Sequence, residues 1–294
     1  MLTKVLATAI VFQCVLACST AATPPVDASS DAAVDAAADA APSDAADAGA
    51  DTGNIGRVFA ISDTVTVDGG TKGSYRAGAY FVETKGTETG TTTKTVGPCV
   101  VETLTGASTL VETDRSAGTV RITGGMQPVD LAPSGTTYNA ATGKTALWSG
   151  GETLVVTADG KDVPAFSTSL IAPSKLTLTA PALPSTPNGS LAVTRSADLA
   201  ATWAGTSSGQ VVLYFDAAES TKAYSTTCTF SAKDGKATVP AGAFADYPKG
   251  AGTFNFYVKE VATTSAIGWS IKFTASSAIV SGAGASATGS VDFK

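Results

Sequence analysis

The 294-residue chain contains no histidine. Without an imidazole there is no Ser-His-Asp or Cys-His nucleophile, and the usual zinc ligand sets are incomplete. GxSxG, Walker and GxGxxG-plus-helix motifs do not occur in a workable context either. We therefore predict that the protein is not an enzyme and that it holds no cofactor or metal. An enzyme made of these residues would have to use carboxylates alone, as in glycoside hydrolysis, or a serine with a lysine.

Long apolar runs are also scarce. Residues 5–17, after Lys4, are apolar except for two positions. A mature transmembrane helix needs about 20 residues, whereas a segment of this length with a basic flank is typical of a signal-peptide core. No later run of 18 apolar residues follows. The sequence predicts a signal peptide at 1–17 and no second anchor that crosses a membrane.

The segment Val15-Leu16-Ala17-Cys18 resembles the lipobox of bacterial lipoproteins. The resemblance implies cleavage before Cys18, diacylation of its sulfur and acylation of its amine. Several acyl chains, at about 0.8 kcal/mol per buried CH₂, would attach the protein firmly to a membrane. Ser19 favours the outer membrane under the sorting rule of some Gram-negative lipoproteins, with periplasmic or surface exposure left open. The alternative is a coincidental cysteine beside a plain secretory cleavage site.

An acidic arm follows the cysteine. Residues 23–53 contain 12 Ala, 7 Asp and no basic residue, and four of the aspartates recur at every fourth position from Asp27. Repulsion between like charges four residues apart opposes the helix that alanine favours. Because large apolar side chains are almost absent, no core can form. We predict that residues 18–53 are a disordered tether with a coil reach of roughly 30–35 Å and a stretched limit of about 115 Å.

The negative charge of the chain belongs to this arm. The whole chain has 19 basic and 25 acidic residues. Without Lys4 and the seven arm aspartates, residues 54–294 have 18 of each. A balanced domain lacks the basic footprint of a nucleic-acid-binding protein. Nucleic acid is therefore not an expected partner.

Two cysteines remain in the folded part, Cys99 and Cys228. In an exported protein they could form one disulfide. They could instead be two buried thiols, because Cys228 shares a strand face with Phe230, or one could pair with another chain. Their separation of 129 residues and expected placement in different domains make pairing with each other awkward.

Residues 54–294 read as all-β. Short alternating runs of Thr, Val, Ser and aromatic residues are separated by Gly-rich or Pro-rich breaks. Three Asp-Gly pairs, at 68–69, 159–160 and 234–235, predict hairpin turns. Four prolines within 173–187 oppose a central strand and mark a crossing. We predict two tandem antiparallel β-sandwich, immunoglobulin-like domains, at 54–173 and 174–294.

The second half alternates clearly between faces. Leu213 and Phe215 share a side of one run, and alternation over 252–261 and 268–279 predicts two more strands with Trp269 in the core. Residues 196–215, with a strand ending at Trp203, resemble strands two and three of fibronectin type III and related immunoglobulin-like modules. Residues 244–261 resemble their turn into the sixth strand, with Phe254 where a tyrosine is common. The resemblance implies spacer or binding modules and no active site.

Two further features are candidates for function. Glu83, Glu102 and Glu112 occupy near-identical strand contexts. A solvated face is the expected home for all three, and a metal or substrate cluster is the alternative. Trp148 precedes the turn Ser149–Glu152, where its ring could stack on a sugar or, as the plainer interpretation, could close one end of a sandwich.

The sequence therefore favours a non-catalytic, membrane-anchored lipoprotein of the cell envelope. We expect it to bind a glycan or an envelope protein through loops at the end of a sandwich. An architectural protein that assembles with itself is the second hypothesis. A carboxylate-based hydrolase is the third.

Overall fold

The computed structural model describes residues 53–294 except 68–69, 87–89, 107–110, 185–188, 283 and 285–286, and it describes no side chains for 64–71. The predicted signal peptide, Cys18 and the acidic arm lie outside the described residues. Within the described part, no helix is long and apolar enough to cross a membrane.

The all-β prediction is confirmed. The described residues form twenty-two strands, and their only helical segments are short 3-10 turns at Ala232–Asp234 and Ala241–Ala243. The strands up to the predicted boundary are β1 Asn54–Val67, β2 Gly70–Lys85, β3 Thr91–Val96, β4 Cys99–Leu104, β5 Val111–Asp114, β6 Val120–Thr123, β7 Val129–Leu131, β8 Pro133–Ser134, β9 Thr137–Tyr138, β10 Ala141–Gly143, β11 Thr153–Ala158 and β12 Phe166–Ile171. Those beyond it are β13 Thr177–Ala180, β14 Ser190–Val193, β15 Leu199–Ala204, β16 Gln210–Ala218, β17 Ala223–Ser231, β18 Lys236–Val239, β19 Gly250–Ala266, β20 Trp269–Ala278, β21 Val280–Ser281 and β22 Thr288–Phe293.

One long sheet runs through the molecule. Its path is β10-β2-β1-β20-β19-β16-β17-β4-β3, with β5 paired to β2 and with β22 and β14 joined at β19. β19 has 17 residues and spans roughly 55 Å at the usual rise of a strand. Its first half pairs with β22 and its second half with β20. We call this twelve-stranded assembly the long sheet.

The first core lies between the long sheet and the four-stranded sheet β12-β11-β6-β7. Side chains that alternate along β1, β2 and β20 face those of β6 and β11, so the strands follow the alternation expected of packed sheets. Phe81 lies near the centre, with its ring 5.9 Å from Phe166 and 6.4 Å from Trp269. Trp269 is 8% exposed, as its place in the alternation predicts.

The second core lies between the long sheet and the sheet β18-β15-β13-β21. Strands β13, β15 and β18 stand against β16, β17, β19 and β22, which is how strands A, B and E of an immunoglobulin-like sandwich stand against strands C, F and G. Trp203 on β15 is buried and donates its indole N–H to the carbonyl of Ala232 at 2.8 Å. The predicted faces of β16 and β19 are confirmed, because Phe215, Phe254 and Phe256 all lie in this core.

The chain passes from the first core to the second between Ala172 and Leu176, where the prolines suggest a crossing. Two pieces of chain do not follow the predicted division at residue 174. Strand β4 pairs with β17 and contributes to the second core. The second half of β19 and most of β20 contribute to the first. The two sandwiches therefore share strands instead of being joined by a linker.

The structure treats differently the three Asp-Gly pairs that were each predicted to form a hairpin turn. Val67 pairs with Gly70 at the end of the hairpin of β1 and β2, and Asp68-Gly69 lies outside the described residues. Gly160, at φ 89°, lies in the connection of the antiparallel pair β11 and β12. The prediction is wrong for Asp234-Gly235, because β17 and β18 belong to different sheets. Gly235, at φ 66°, turns the chain from one sheet to the other.

Candidate functional site

The glutamates proposed as a cluster are separated by the fold. Glu83 on β2 accepts hydrogen bonds from Arg115 (Nη2 to Oε2, 2.6 Å) and forms an ion pair with Lys85 at 2.9 Å. The hydrogen bond from Arg115, followed by that from Lys85, lowers the pKa of the Glu83 carboxyl. A carboxylate held ionised between two cations is suited to an ion pair and not to general acid catalysis.

Glu102 and Glu112 lie elsewhere. Glu102 is on β4 and accepts a hydrogen bond from Ser225 (Oγ to Oε2, 3.3 Å). Glu112 is exposed on β5, where it stands opposite Thr84, whereas Glu83 stands opposite Thr113. Neighbouring positions of a strand point to opposite faces, so even this adjacent pair does not converge. Among the described residues, no three acidic, cysteine or histidine side chains are grouped as metal ligands.

Trp148 does not present its ring on an exposed turn. The side chain is 3% exposed and belongs to the first core. Its indole N–H lies 3.2 Å from both the Pro173 carbonyl and the Ser277 hydroxyl. The hydroxyl of Ser62 receives the backbone N–H groups of Leu147 and Trp148. The proposed ligand contact at Trp148 is corrected to a packing residue where the two sandwiches meet.

The turn after Trp148 is held by Glu152. Its two carboxylate oxygens accept the backbone N–H groups of Ser149 at 2.8 Å and Gly150 at 2.7 Å. Burial raises the pKa of Glu152, but these backbone hydrogen bonds outweigh it and the net direction is downward. Gly150 has φ 118°, and a Cβ there would lie 2.6 Å from the Cα of Ser174. Gly150 therefore serves the close packing of this turn.

Cys99 and Cys228 form a disulfide. The two residues stand directly opposite each other on β4 and β17, and both are fully buried. The expected separation into different domains is wrong for this pair, because the hairpin of β3 and β4 crosses into the second sandwich. The bond ties that hairpin to the second core.

The end of the long sheet farthest from Asn54 has a defined polar surface. The N–H of Arg195 donates to the carbonyl of Lys294 at 3.1 Å, and Gly250 pairs with Phe293. A tight turn closes nearby, where the N–H of Glu219 donates to the carbonyl of Lys222 at 2.8 Å. We call Arg195, Glu219, Lys222, Lys249, Asp292 and Lys294 the far-end surface.

Buried tyrosines support the far-end surface. Arg195 donates to the carbonyl of Tyr247 at 2.6 Å, and Tyr224 donates to Glu219 at 3.4 Å. The rings of Tyr224 and Tyr247 lie 5.6 Å apart. Four of the six residues of the surface are cations and two are acids, Lys294 pairs with Asp292 at 3.9 Å, and the charge of the exposed Asp246 also reaches Tyr224, so the surface has a small excess of positive charge. It can attract an anionic partner.

Another basic region lies on the side of the long sheet that faces away from both cores. Residues directly opposite each other on adjacent strands share a face. Arg57 is paired with Tyr80 on one side and Lys272 on the other, and Ile61 is paired with Arg76. We call this side the outward face; its members are Arg57, Phe59, Ile61, Arg76, Tyr80, Tyr257, Lys259, Val261, Lys272, Thr274 and Ser276.

Asp63 on β1 is one carboxyl whose shifted pKa affects stability. Its Oδ1 accepts the N–H of Ala278 at 2.8 Å. Burial raises the pKa of Asp63, while the Ala278 amide and the charge of Lys175 oppose the rise, and the net direction is upward. Stability from such a group is present below its unfolded-state pKa and is lost as the pH rises through the higher folded-state pKa.

We expect Asp63→Asn to unfold at a higher urea concentration than the wild type at neutral pH. The amide oxygen can still accept the Ala278 N–H, and the cost of a buried charge is removed. The difference should shrink at acidic pH, where the wild-type carboxyl is protonated. Urea midpoints of both proteins at neutral and at acidic pH test this expectation. A stability gain of the variant over the wild type that is smaller at neutral pH than at acidic pH contradicts it.

Comparisons with known proteins give no family. No protein-family model matches the chain, and no curated protein matches it. Similar solved structures include a Ca²⁺-stabilised adhesin that helps an Antarctic bacterium to reach out and bind ice. It shares 13% identity over 78% of this chain, with a TM-score of 0.17. The match covers 65% of the adhesin chain, slightly less than two thirds of its length.

Two further structures are similar at the same level. A bacterial ice-binding adhesin of 1.5 MDa shares 12% identity over 77% of this chain and 86% of that one, with a TM-score of 0.18. The FN1–FN3 domains of chicken CNTN1 share 14% identity over 66% of this chain and 67% of that one, with a TM-score of 0.17. TM-scores this low assign neither a shared overall fold nor a function.

Proposed function

We propose that the protein is a non-catalytic lipoprotein of the bacterial cell envelope, held at the outer membrane by acyl chains on Cys18, and that it binds an acidic polysaccharide through the far-end surface. One observation carries the proposal. The far-end surface is at the opposite end of β19 from Asn54, where the arm joins the fold. A binding surface placed there is turned away from the anchor.

The chemistry of the far-end surface supports an anionic ligand. Lys222 and Lys249 are exposed and can form charge-assisted hydrogen bonds with carboxylate or phosphate groups. Arg195 is fixed by its bond to the Tyr247 carbonyl, so less conformational entropy is lost on binding. Glu83 and Glu102 form local contacts and Glu112 lies exposed on a different face from Glu83, which favours binding over hydrolysis.

Co-sedimentation with insoluble, acidic envelope polysaccharide tests the proposal. The protein is the mature chain, residues 18–294, with Cys18→Ser to prevent lipidation. We expect the wild-type fold to sediment with the polysaccharide at low salt. Replacing Lys222 and Lys249 together by glutamine should weaken binding about tenfold, since two exposed charge contacts of up to about 1 kcal/mol each approach the 1.4 kcal/mol of a tenfold change.

The matched control is the pair Lys161→Gln and Lys233→Gln. Both lysines are exposed and lie outside the far-end surface, so this variant has the same net charge as the test variant. Equal binding of the two double variants would rule out the far-end surface as the site. Absence of sedimentation by all forms would reject an acidic polysaccharide as the ligand.

A further inference from the structure

The folded part offers very few side chains to an oxidant. The whole chain has two methionines, Met1 and Met126, and the first lies in the predicted signal peptide. Cys99 and Cys228 are joined in a disulfide, and all three tryptophans are buried. Met126 is therefore the single thioether of residues 54–294, and at 66% exposed it is open to solvent.

Met126 lies between two turns that meet beside the first core. Its own turn joins β6 to β7, and its backbone N–H donates to the carbonyl of Leu147 at 2.8 Å. The second turn is Ser149–Glu152, where the carboxylate of Glu152 accepts the N–H of Ser149 at 2.8 Å. The backbone on both sides of the Met126 side chain is thus fixed by hydrogen bonds.

The hydroxyl of Ser149 is directed at the sulfur of Met126. Its Oγ lies 4.0 Å from Sδ and donates to it. Because a thioether is a weak acceptor, this contact contributes little while the sulfur is reduced. An added oxygen makes the side chain polar, and that oxygen is the negative end of the S–O dipole. Rotation about the terminal bonds of the exposed side chain can set it beside the hydroxyl.

We propose that Met126 is an oxidation site for peroxides and that its sulfoxide is held by Ser149, which fastens the two turns together. In the reaction a lone pair of Sδ attacks one oxygen of hydrogen peroxide, and the O–O bond breaks. The sulfur is oxidised and the peroxide is reduced. The second oxygen leaves as hydroxide and takes up the proton of the first, so one water is released. Methionine sulfoxide reductases reverse the change.

The expected effect is opposite to the usual one of methionine oxidation. A sulfoxide disrupts a core when the thioether is buried among apolar groups. Met126 is exposed, so its added oxygen stays hydrated until Ser149 donates to it, and the new hydrogen bond is a net gain. Since the Ser149 turn directly follows the buried Trp148, oxidation should stabilise the region where the two sandwiches meet. The inference does not depend on what the far-end surface binds.

Peroxide treatment followed by urea unfolding tests the proposal. The protein is residues 18–294 with Cys18→Ser, freed of any initiator methionine. Dilute hydrogen peroxide should add one oxygen per chain, and peptide mass spectrometry should place it on Met126. We expect the oxidised protein to unfold at a higher urea concentration. The folding equilibrium constant should rise about threefold, near the lower end of the effect of one hydrogen bond.

Variants separate the oxidation from the capture by Ser149. Met126→Leu keeps the apolar volume, so it should take up no oxygen and show no shift. Ser149→Ala should take up oxygen on Met126 as the wild type does, but it should lose the gain in stability. Ser167→Ala, a control at another exposed serine, should keep that gain. Each variant is compared with its own untreated form, so the effect of the substitution on folding cancels.

Three results would overturn the proposal. Oxygen taken up first at a residue other than Met126 contradicts the site. An oxidised wild-type protein that is no more stable than the untreated one contradicts the capture of the sulfoxide. An equal gain in stability for Ser149→Ala shows that the hydroxyl is not the group that holds it.

Discussion

Replacing Cys99 and Cys228 together by alanine is expected to lower the free energy of unfolding by about 5 kcal/mol. The bond closes a loop with a sequence separation of 129 residues, and the loss of chain entropy in the unfolded state is worth about 4.7 kcal/mol for a 100-residue loop and slightly more for a longer one. Both residues are fully buried, so the variant also loses some packing. Denaturant titration followed by tryptophan fluorescence measures the change.

A matched variant separates the cross-link from the packing. Val101→Ala removes volume from β4, the same strand of the same core, and leaves the disulfide in place. It should cost clearly less than the double alanine variant. Wild-type protein with the disulfide reduced should unfold near the double variant. An unfolding midpoint that is unaffected by both treatments would show that the bond does not constrain the unfolded chain.

The second large effect is expected for Trp148→Ala, which should lower the free energy of unfolding by about 3–5 kcal/mol. The ring is 3% exposed in the first core. Its removal leaves a cavity and takes away the donor that faces the Pro173 carbonyl and the Ser277 hydroxyl. Thermal unfolding followed by circular dichroism gives the change in stability.

Trp148→Phe is the partner variant. It keeps most of the apolar surface and loses the indole N–H, so it should cost about 1–2 kcal/mol. Because the ring is buried, this variant should bind polysaccharide as the wild type does. A Trp148→Ala protein as stable as the wild type, with lost binding, would place the ring at a ligand surface.

Local pattern is sufficient to predict the faces of the strands in the second half. Along β20, large apolar residues alternate with polar ones, and Ile271 is buried as the alternation requires. Along β16, Leu213 and Phe215 share one face and are both buried. The end of β19 is less visible in the sequence. The inward-facing residues near its C-terminal end, including Ala262 and Ala266, contribute to the first core but are too small to give a strong apolar signal. The strand predicted over 252–261 therefore ends before the observed end at Ala266.

Hydrophobic alternation along a strand does not predict contacts between distant parts of the chain. Trp148 precedes a glycine-rich turn, which suggests exposure, but its backbone N–H donates to the hydroxyl of Ser62, 86 positions away, and its ring is buried in the first core. Nothing local to β4 indicates that it pairs with β17 and not with its neighbours in the first sandwich. The exposure of Trp148 and the partner of Cys99 depend on long-range packing, which one sequence does not reveal.

The position of β1 determines how the protein would respond to mechanical force. An anchored protein that grips a ligand at its far end is pulled at Asn54, along the axis of β1. That strand is hydrogen-bonded on both sides, to β2 over 14 residue pairs and to β20 over 8. Because these bonds lie across the direction of the pull, they share the load in shear and do not open one at a time. Under the proposed anchoring, β1 would therefore resist extraction through its hydrogen bonds on both sides at once.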